Sequence, residues 1–228
     1  MSAERFRRKL RAILSADVKG YSRLMGEDED STIRTLETYR EVMAGLIEQH
    51  RGRVVDAIGD NLLAEFASAA DAVQCAVEIQ EELGARNAVL LVDHRMEFWI
   101  GVNLGDVIEE GDRIYGDGIN IAARIEALAD AGGISISGTV HDSVADKLGL
   151  KYEYSGEQSV KNIAKPIRVY KVIVSPSSAP GAGCCHAKRT DSPAMAEDRP
   201  DRSRCAGTGI GWGHLEVLPA PLIFGDHT

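Results

Sequence analysis

Aromatic side chains are scarce in this 228-residue chain, at 5% against 44% hydrophobic residues, so any core it builds is aliphatic. Proline is absent before Pro166, and the other six prolines, Pro176, Pro180, Pro193, Pro200, Pro219 and Pro221, all follow residue 175. Long hydrophobic runs are missing too. Stretches such as Ala88-Val89-Leu90-Leu91-Val92 fall far short of the roughly 18 residues that cross a bilayer, so no membrane span is expected. The basic start (Arg5, Arg7, Arg8, Lys9, Arg11) leads into apolar residues interrupted at Asp17, which makes no secretory segment and predicts a cytoplasmic address. Cysteine is sparse: Cys75 sits alone in a helical pattern, while Cys184, Cys185 and Cys205 come late, at no framework-like spacing, and with His186 fit no closed zinc pattern. Positive charge is short as well. With 26 basic against 35 acidic residues the chain carries −9, which argues against a nucleic-acid backbone or an anionic membrane as partner. A phosphate-bearing ligand would have to be held locally, by metals or a few placed cations.

The prolines mark a change of texture. From Ser175 to Thr228 the chain runs to Gly, Ala, Ser, Pro and Arg with neither a 3.6 nor a 2 period, so residues 1–174 are expected to form one domain and 175–228 a disordered tail. Within the domain the periods alternate. Residues 11–18 read as a strand and 31–50 as an amphipathic helix with Ile33, Leu36, Met43, Leu46 and Ile47 on one face. Two short runs, 53–56 and 61–66, flank the Gly59-Asp60 turn pair of a hairpin. Residues 69–83 return to helical spacing through Val73, Ala76, Val77 and Leu83, and 97–104 alternates as a half-buried strand. A third helix over 117–129, with Ile121, Ile125 and Leu128 as its buried stripe, is followed by strands at 134–136, 151–154 and 167–174. The order β-α-β-β-α-β predicts an α+β, ferredoxin-like core with extra strands and a helix.

In that order the first strand and the hairpin are sheet neighbours, so Asp17, closing one, and Asp60, turning the other, are brought to one edge. Each alone reads better as a turn or cap aspartate. Together they offer hard oxygen ligands of the kind Mg²⁺ takes, one or two carboxylates with room for water and phosphate. Behind Asp17, Val18-Lys19-Gly20-Tyr21-Ser22 passes from strand into a helical turn whose amides suit phosphate oxygens. On the third helix Asn120 and Arg124 are four apart and share a face, which reads either as solvated surface or as a planar donor fork for a phosphoryl group.

SADVKGYS (15–22), IGDNLLAEF (58–66), IYGDGINIAAR (114–124) and SVKNIAKPIRVYKV (159–172) together resemble, in order and spacing, the catalytic domain of class III nucleotidyl cyclases, the adenylate and guanylate cyclases, over residues 10–174. The resemblance implies two Mg²⁺ or Mn²⁺ ions per site, held by Asp17, Asp60 and the Val18 carbonyl, with the Gly20, Tyr21 and Ser22 amides on the β- and γ-phosphates. Two metals activate the attacking oxygen and neutralise the leaving one in an in-line displacement. It further implies attack of the ribose 3′-hydroxyl on the α-phosphorus, with Asn120 orienting the ribose, Arg124 stabilising the α-phosphoryl charge and Lys161 reaching the triphosphate. The products are a 3′,5′-cyclic nucleotide, a signalling molecule, and pyrophosphate. In this family the aspartates and the Asn–Arg helix of one site come from two domains; this chain has both sets and one domain, so a head-to-tail homodimer is expected.

The departures fall on the base pocket. The family's adenylate cyclases place a lysine three residues before the Gly-Asp turn and an aspartate seven before the helical asparagine; here Asp56 and Arg113 stand there. Asp56 suits the N1–H and N2–H of guanine, whereas a reversed Asp56–Arg113 pair would preserve a salt bridge. ATP is the expected substrate on family frequency, with GTP as the alternative. A nucleotide-binding or dimerisation module without turnover is a further alternative, against which the intact Asp17, Asp60, Asn120 and Arg124 stand. A diguanylate cyclase or polymerase palm is disfavoured by the lack of a Gly-Gly-Asp/Glu-Glu-Phe turn.

Overall fold

The computed structural model describes residues 7–111, 113–159 and 166–174. All of them belong to the first of two compact units, Met1–Gly181. Lys161 and the whole 175–228 segment lie outside the described residues.

The chain runs β1 (Arg7–Val18), α1 (Tyr21–Glu27), α2 (Glu29–Gln49), β2 (Gly52–Asp56), β3 (Leu62–Phe66), α3 (Ala69–Ala88), β4 (Phe98–Glu110), β5 (Arg113–Tyr115), α4 (Asp117–Glu126), β6 (Ile134–Ser137), α5 (Gly138–Val144), β7 (Lys151–Gln158) and β8 (Ile167–Ile173). One sheet has the order β2-β3-β1-β4-β6-β8-β7, with β5 paired to β4. The first four positions are the predicted ferredoxin-like arrangement: β1 is central and antiparallel to both β3 and β4. β4 joins β6 in parallel, and β6, β8 and β7 extend the sheet.

Local chemistry starts the long helices. The Asp28 carboxylate accepts from the Ser31 N–H at 3.0 Å, and Glu29 and Asp30 place negative charge in the first turn of α2, where the helix dipole favours it. Ser68 caps α3 in the same way. α2 buries Leu36, Tyr39, Met43 and Ile47, and α3 buries Ala72, Val73, Ala76, Ile79 and Leu83, against Ala12, Leu14, Ala16 and Val18 of β1. Each large side chain fully buried here, Phe66 and Phe98 among them, is worth roughly 1.5–3 kcal/mol of transfer free energy. The predicted α2 stripe was one position off at its start. Tyr39 is inside, its hydroxyl donating to the buried Asn87 amide oxygen at 3.0 Å, while Ile33 is exposed.

The other sheet face carries α4. It packs over β4 and β1, and a smaller apolar group forms from Ile13, Val107, Ile114 and Ala122. β4 is therefore not half-buried as its alternation predicted: Phe98, Ile100 and Val102 face α3, and Gly101 and Asn103, equally buried, face α4. The α4 stripe differs too. Gly118, Ala122, Ile125 and Glu126 are buried, whereas Ile121 and Leu128 are only partly so. The reason is close approach. A Cβ on Gly101 would lie 2.4 Å from the Ala122 carbonyl oxygen and 2.4 Å from the Glu126 nitrogen, so helix backbone rests on strand backbone with small residues between. The buried Asn103 amide fixes the start of the helix by donating to the Gly118 carbonyl at 3.0 Å.

Candidate active site

Side chains alternate along β1, so Asp17 points to the face that bears α4, together with Ser15 and Ile13. It stands opposite Trp99 of β4. Asp60 reaches the same end of the sheet on the β2–β3 turn. That turn is closed by the Asn61 N–H donating to the Ile58 carbonyl at 3.2 Å, with Gly59 at φ 65°, and Arg40 of α2 clamps it by donating to the carbonyls of Gly59 and of Asn61, the latter at 3.1 Å. The structure thus joins the two predicted aspartates. Burial pushes the Asp17 carboxyl above its ordinary range and the neighbouring Asp60 charge pushes it further, against a hydrogen bond from the Val18 N–H.

Two carboxylates that repel each other, one partly desolvated, make a donor set that fits a divalent cation. Among the described residues no group of three or more His, Cys, Asp and Glu side chains has metal-holding geometry. A cation here would rest on the pair, with backbone oxygen, phosphate and water filling the remaining positions, as Mg²⁺ accepts. Immediately after Val18, Gly20 takes a left-handed conformation (φ 67°, ψ 32°) that turns the chain into α1. Its carbonyl accepts from the Arg23 and Leu24 N–H groups, and the Tyr21 and Ser22 amides fall in the first turn, where no intrahelical acceptor exists.

Asn120 and Arg124 are both exposed on α4. They lie on the side of α4 turned away from Gly118, Ala122, Ile125 and Glu126, the residues of that helix that are buried. The carboxylate pair thus stands at the sheet end, and the Asn–Arg pair on the exposed side of α4. A cavity of about 1060 Å³ lies between α2 and α3 and holds none of the predicted site residues. Of the two readings of the base pocket, the Asp56–Arg113 salt bridge is not among the ion pairs of the described residues. The Asp56 carboxylate instead accepts from the Ala57 N–H at 2.8 Å, and Arg113 opens β5; both are exposed.

Two site-supporting residues escaped sequence reasoning. Arg40 holds the Asp60 turn, and Glu126, 5% exposed, accepts a hydrogen bond from the Ser15 hydroxyl on the floor of the site. The signal for Glu126 was a carboxylate four residues after Ala122 and eight after Gly118, in the phase of the small residues. Burial raises the Glu126 carboxyl from an ordinary 4.5 to about 7; the Ser15 hydrogen bond opposes this, and the charges of Asp17 and Asp60 add to it. The folded chain therefore binds more protons than the unfolded one between pH 4.5 and about 7, and stability falls as pH rises through that window. At about 1.4 kcal/mol per unit the cost reaches about 3 kcal/mol. Urea unfolding midpoints without divalent ions should drop from pH 5 to 7.5 in the native chain more steeply than in Glu126→Gln; parallel curves would exclude this origin.

The family model described as adenylate and guanylate cyclase catalytic domain matches residues 7–174. The chain belongs to this family of class III nucleotidyl cyclase domains. A relative in Rhizobium meliloti (strain 1021), named "Putative adenylate cyclase 3", is 45% identical over 171 residues, which are 75% of this chain and 29% of that protein. The chain thus spans less than a third of that relative's length. Among solved structures, the adenylate/guanylate cyclase/hydrolase from Silicibacter pomeroyi is 39% identical with a TM-score of 0.70, covering 74% of this chain and 99% of its own. The guanylyl cyclase Cya2 is 26% identical with a TM-score of 0.63, covering 73% and 93%. No helix among the described residues is long and apolar enough to cross a membrane.

Proposed function

We propose that this chain converts ATP to 3′,5′-cyclic AMP and pyrophosphate, for signalling, at two equivalent sites formed between copies in a head-to-tail homodimer. The observation that carries this reading is the placement of the two parts: Asp17 and Asp60 stand together at the sheet end, while Asn120 and Arg124 lie on the exposed side of α4, open to a second copy. A second copy turned about a two-fold axis offers its α4 to the carboxylates of the first, and the reverse.

Asp17, Asp60 and the Val18 carbonyl would hold two Mg²⁺ or Mn²⁺ ions. When bound, these supply charge neutralisation and activation of the attacking oxygen. The Gly20, Tyr21 and Ser22 amides receive the β- and γ-phosphate oxygens. Arg124 of the second copy places its planar donor fork on the α-phosphoryl oxygens, where charge grows during displacement, and Asn120 holds the ribose so that its 3′-oxygen lies in line. Lys161 is assigned to the triphosphate.

The name of the Rhizobium meliloti relative favours ATP. GTP is the second reading, because an exposed acceptor at Asp56 matches the donor edge of guanine. Purified protein incubated with ATP or GTP, each with Mg²⁺ or Mn²⁺, should yield cyclic AMP as the main product by mass. Predominant cyclic GMP would reverse the substrate assignment; no cyclic product under any condition would overturn the enzymatic one.

A further inference from the structure

Behind the paired aspartates runs a hydrogen-bonded relay, buried at Ser15 and Glu126 and half-buried at Asn61. The Asn61 amide nitrogen donates at 3.4 Å to the Ser15 oxygen, and the Ser15 hydroxyl donates to Oε2 of Glu126. Ser15 is two residues before Asp17 on the same strand face, and Asn61 directly follows Asp60. Each end of the carboxylate pair is thereby tied to one hydroxyl, which is 1% exposed at the level of its residue. A hydroxyl has one proton to give. Committing it to Glu126 leaves its lone pairs for the Asn61 amide and fixes the direction of the whole relay. Glu126 reaches Ser15 because α4 lies directly on Gly101, the β4 residue that pairs with Ser15 in the sheet. Arg40 secures the far end through the Asn61 carbonyl.

We infer that Glu126 is a positioning residue for the metal site: acting through Ser15 and Asn61, it sets the Asp60 turn against the Asp17 strand and so the carboxylate spacing offered to a divalent cation. This rests on the reading of Asp17 and Asp60 as cation ligands. Groups that orient ligands in this way typically govern affinity by 10–100-fold.

The full chain is compared with Ser15→Ala, Glu126→Ala and Glu126→Gln. Mn²⁺ binding without nucleotide is read from the paramagnetic resonance of free Mn²⁺, turnover is titrated with Mn²⁺ at fixed ATP, and thermal unfolding monitors the fold. Ser15→Ala and Glu126→Ala should each weaken Mn²⁺ binding by ~10-fold or more and raise the half-maximal Mn²⁺ requirement in parallel, with KM for ATP at saturating Mn²⁺ shifted by less than about twofold. Glu126→Gln keeps an oxygen for the Ser15 hydroxyl and should recover most of the loss. Native Mn²⁺ binding in folded Ser15→Ala overturns the inference, as does Glu126→Gln as weak as Glu126→Ala, which would assign the effect to charge. If Glu126→Ala does not fold, Ser15→Ala decides alone. A native chain that binds Mn²⁺ but makes no cyclic nucleotide would refute the proposed function and leave the binding comparison standing.

Discussion

Chains carrying Asp17→Ala and chains carrying Arg124→Ala will each be inactive alone, and mixing them will restore turnover. The first change removes half of the carboxylate pair; the second removes the donor fork from α4. Losing groups of either kind typically costs at least ~10²–10³-fold in rate. In a mixed dimer the two defects fall into one site, and the other site draws Asp17 from one copy and Arg124 from its partner, both native. Random exchange makes about half of the dimers mixed, each with one working site of two, so roughly a quarter of the native activity returns. The measurement is cyclic-nucleotide production against mixing ratio, with mixed dimers verified by two affinity tags. Recovery absent despite verified mixed dimers would mean that each chain builds its site alone.

The second large effect is expected at Gly101. An alanine there puts its Cβ 2.4 Å from the Ala122 oxygen and the Glu126 nitrogen and 2.7 Å from the Glu126 Cα, all of them backbone atoms that no rotamer change can move aside. The helix has to lift from the sheet. Overpacking of this kind costs typically ~1–3 kcal/mol, and at roughly 2–4 °C per kcal/mol the melting temperature should fall by about 5–10 °C. Turnover should fall more steeply, by ~10²-fold, because α4 carries Asn120 and Arg124 and a misplacement of about 1 Å is enough for that. Gly84→Ala in α3 is the control. Nothing lies within 4 Å of its added carbon, and replacing a helical glycine should stabilise by about 0.5–1 kcal/mol. A Gly101→Ala chain melting with the native one would show that α4 does not rest on β4 as described.

The contrast between these two glycines also explains what was legible in the sequence. β1, α2, the hairpin and α3 announce themselves through long-period apolar spacing and local caps, and their order already places Asp17 beside Asp60. The four motifs carried the family resemblance. What escaped is tertiary. α5 is seven residues long, too short for a period to register, and β5 has only three. The α4 stripe is misphased in the sequence because large apolar residues ordinarily mark the buried side, whereas a helix lying at backbone distance turns its smallest residues inward. Glu126 followed from the same misphasing, since a carboxylate reads as surface until its helix is rotated.

The direct seating of α4 on β4 has a mechanical consequence. Helices that slide during regulation do so over a layer of interleaved side chains, which can slip between alternative packings. Between Gly101 and the turn from Ala122 to Glu126 there is no such layer, and Asn103 pins the other end of the helix at the Gly118 carbonyl. α4 and β4 therefore behave as one stiff body. A displacement of α4 has to carry β4 with it, so the face that bears Asn120 and Arg124 keeps its place relative to the sheet.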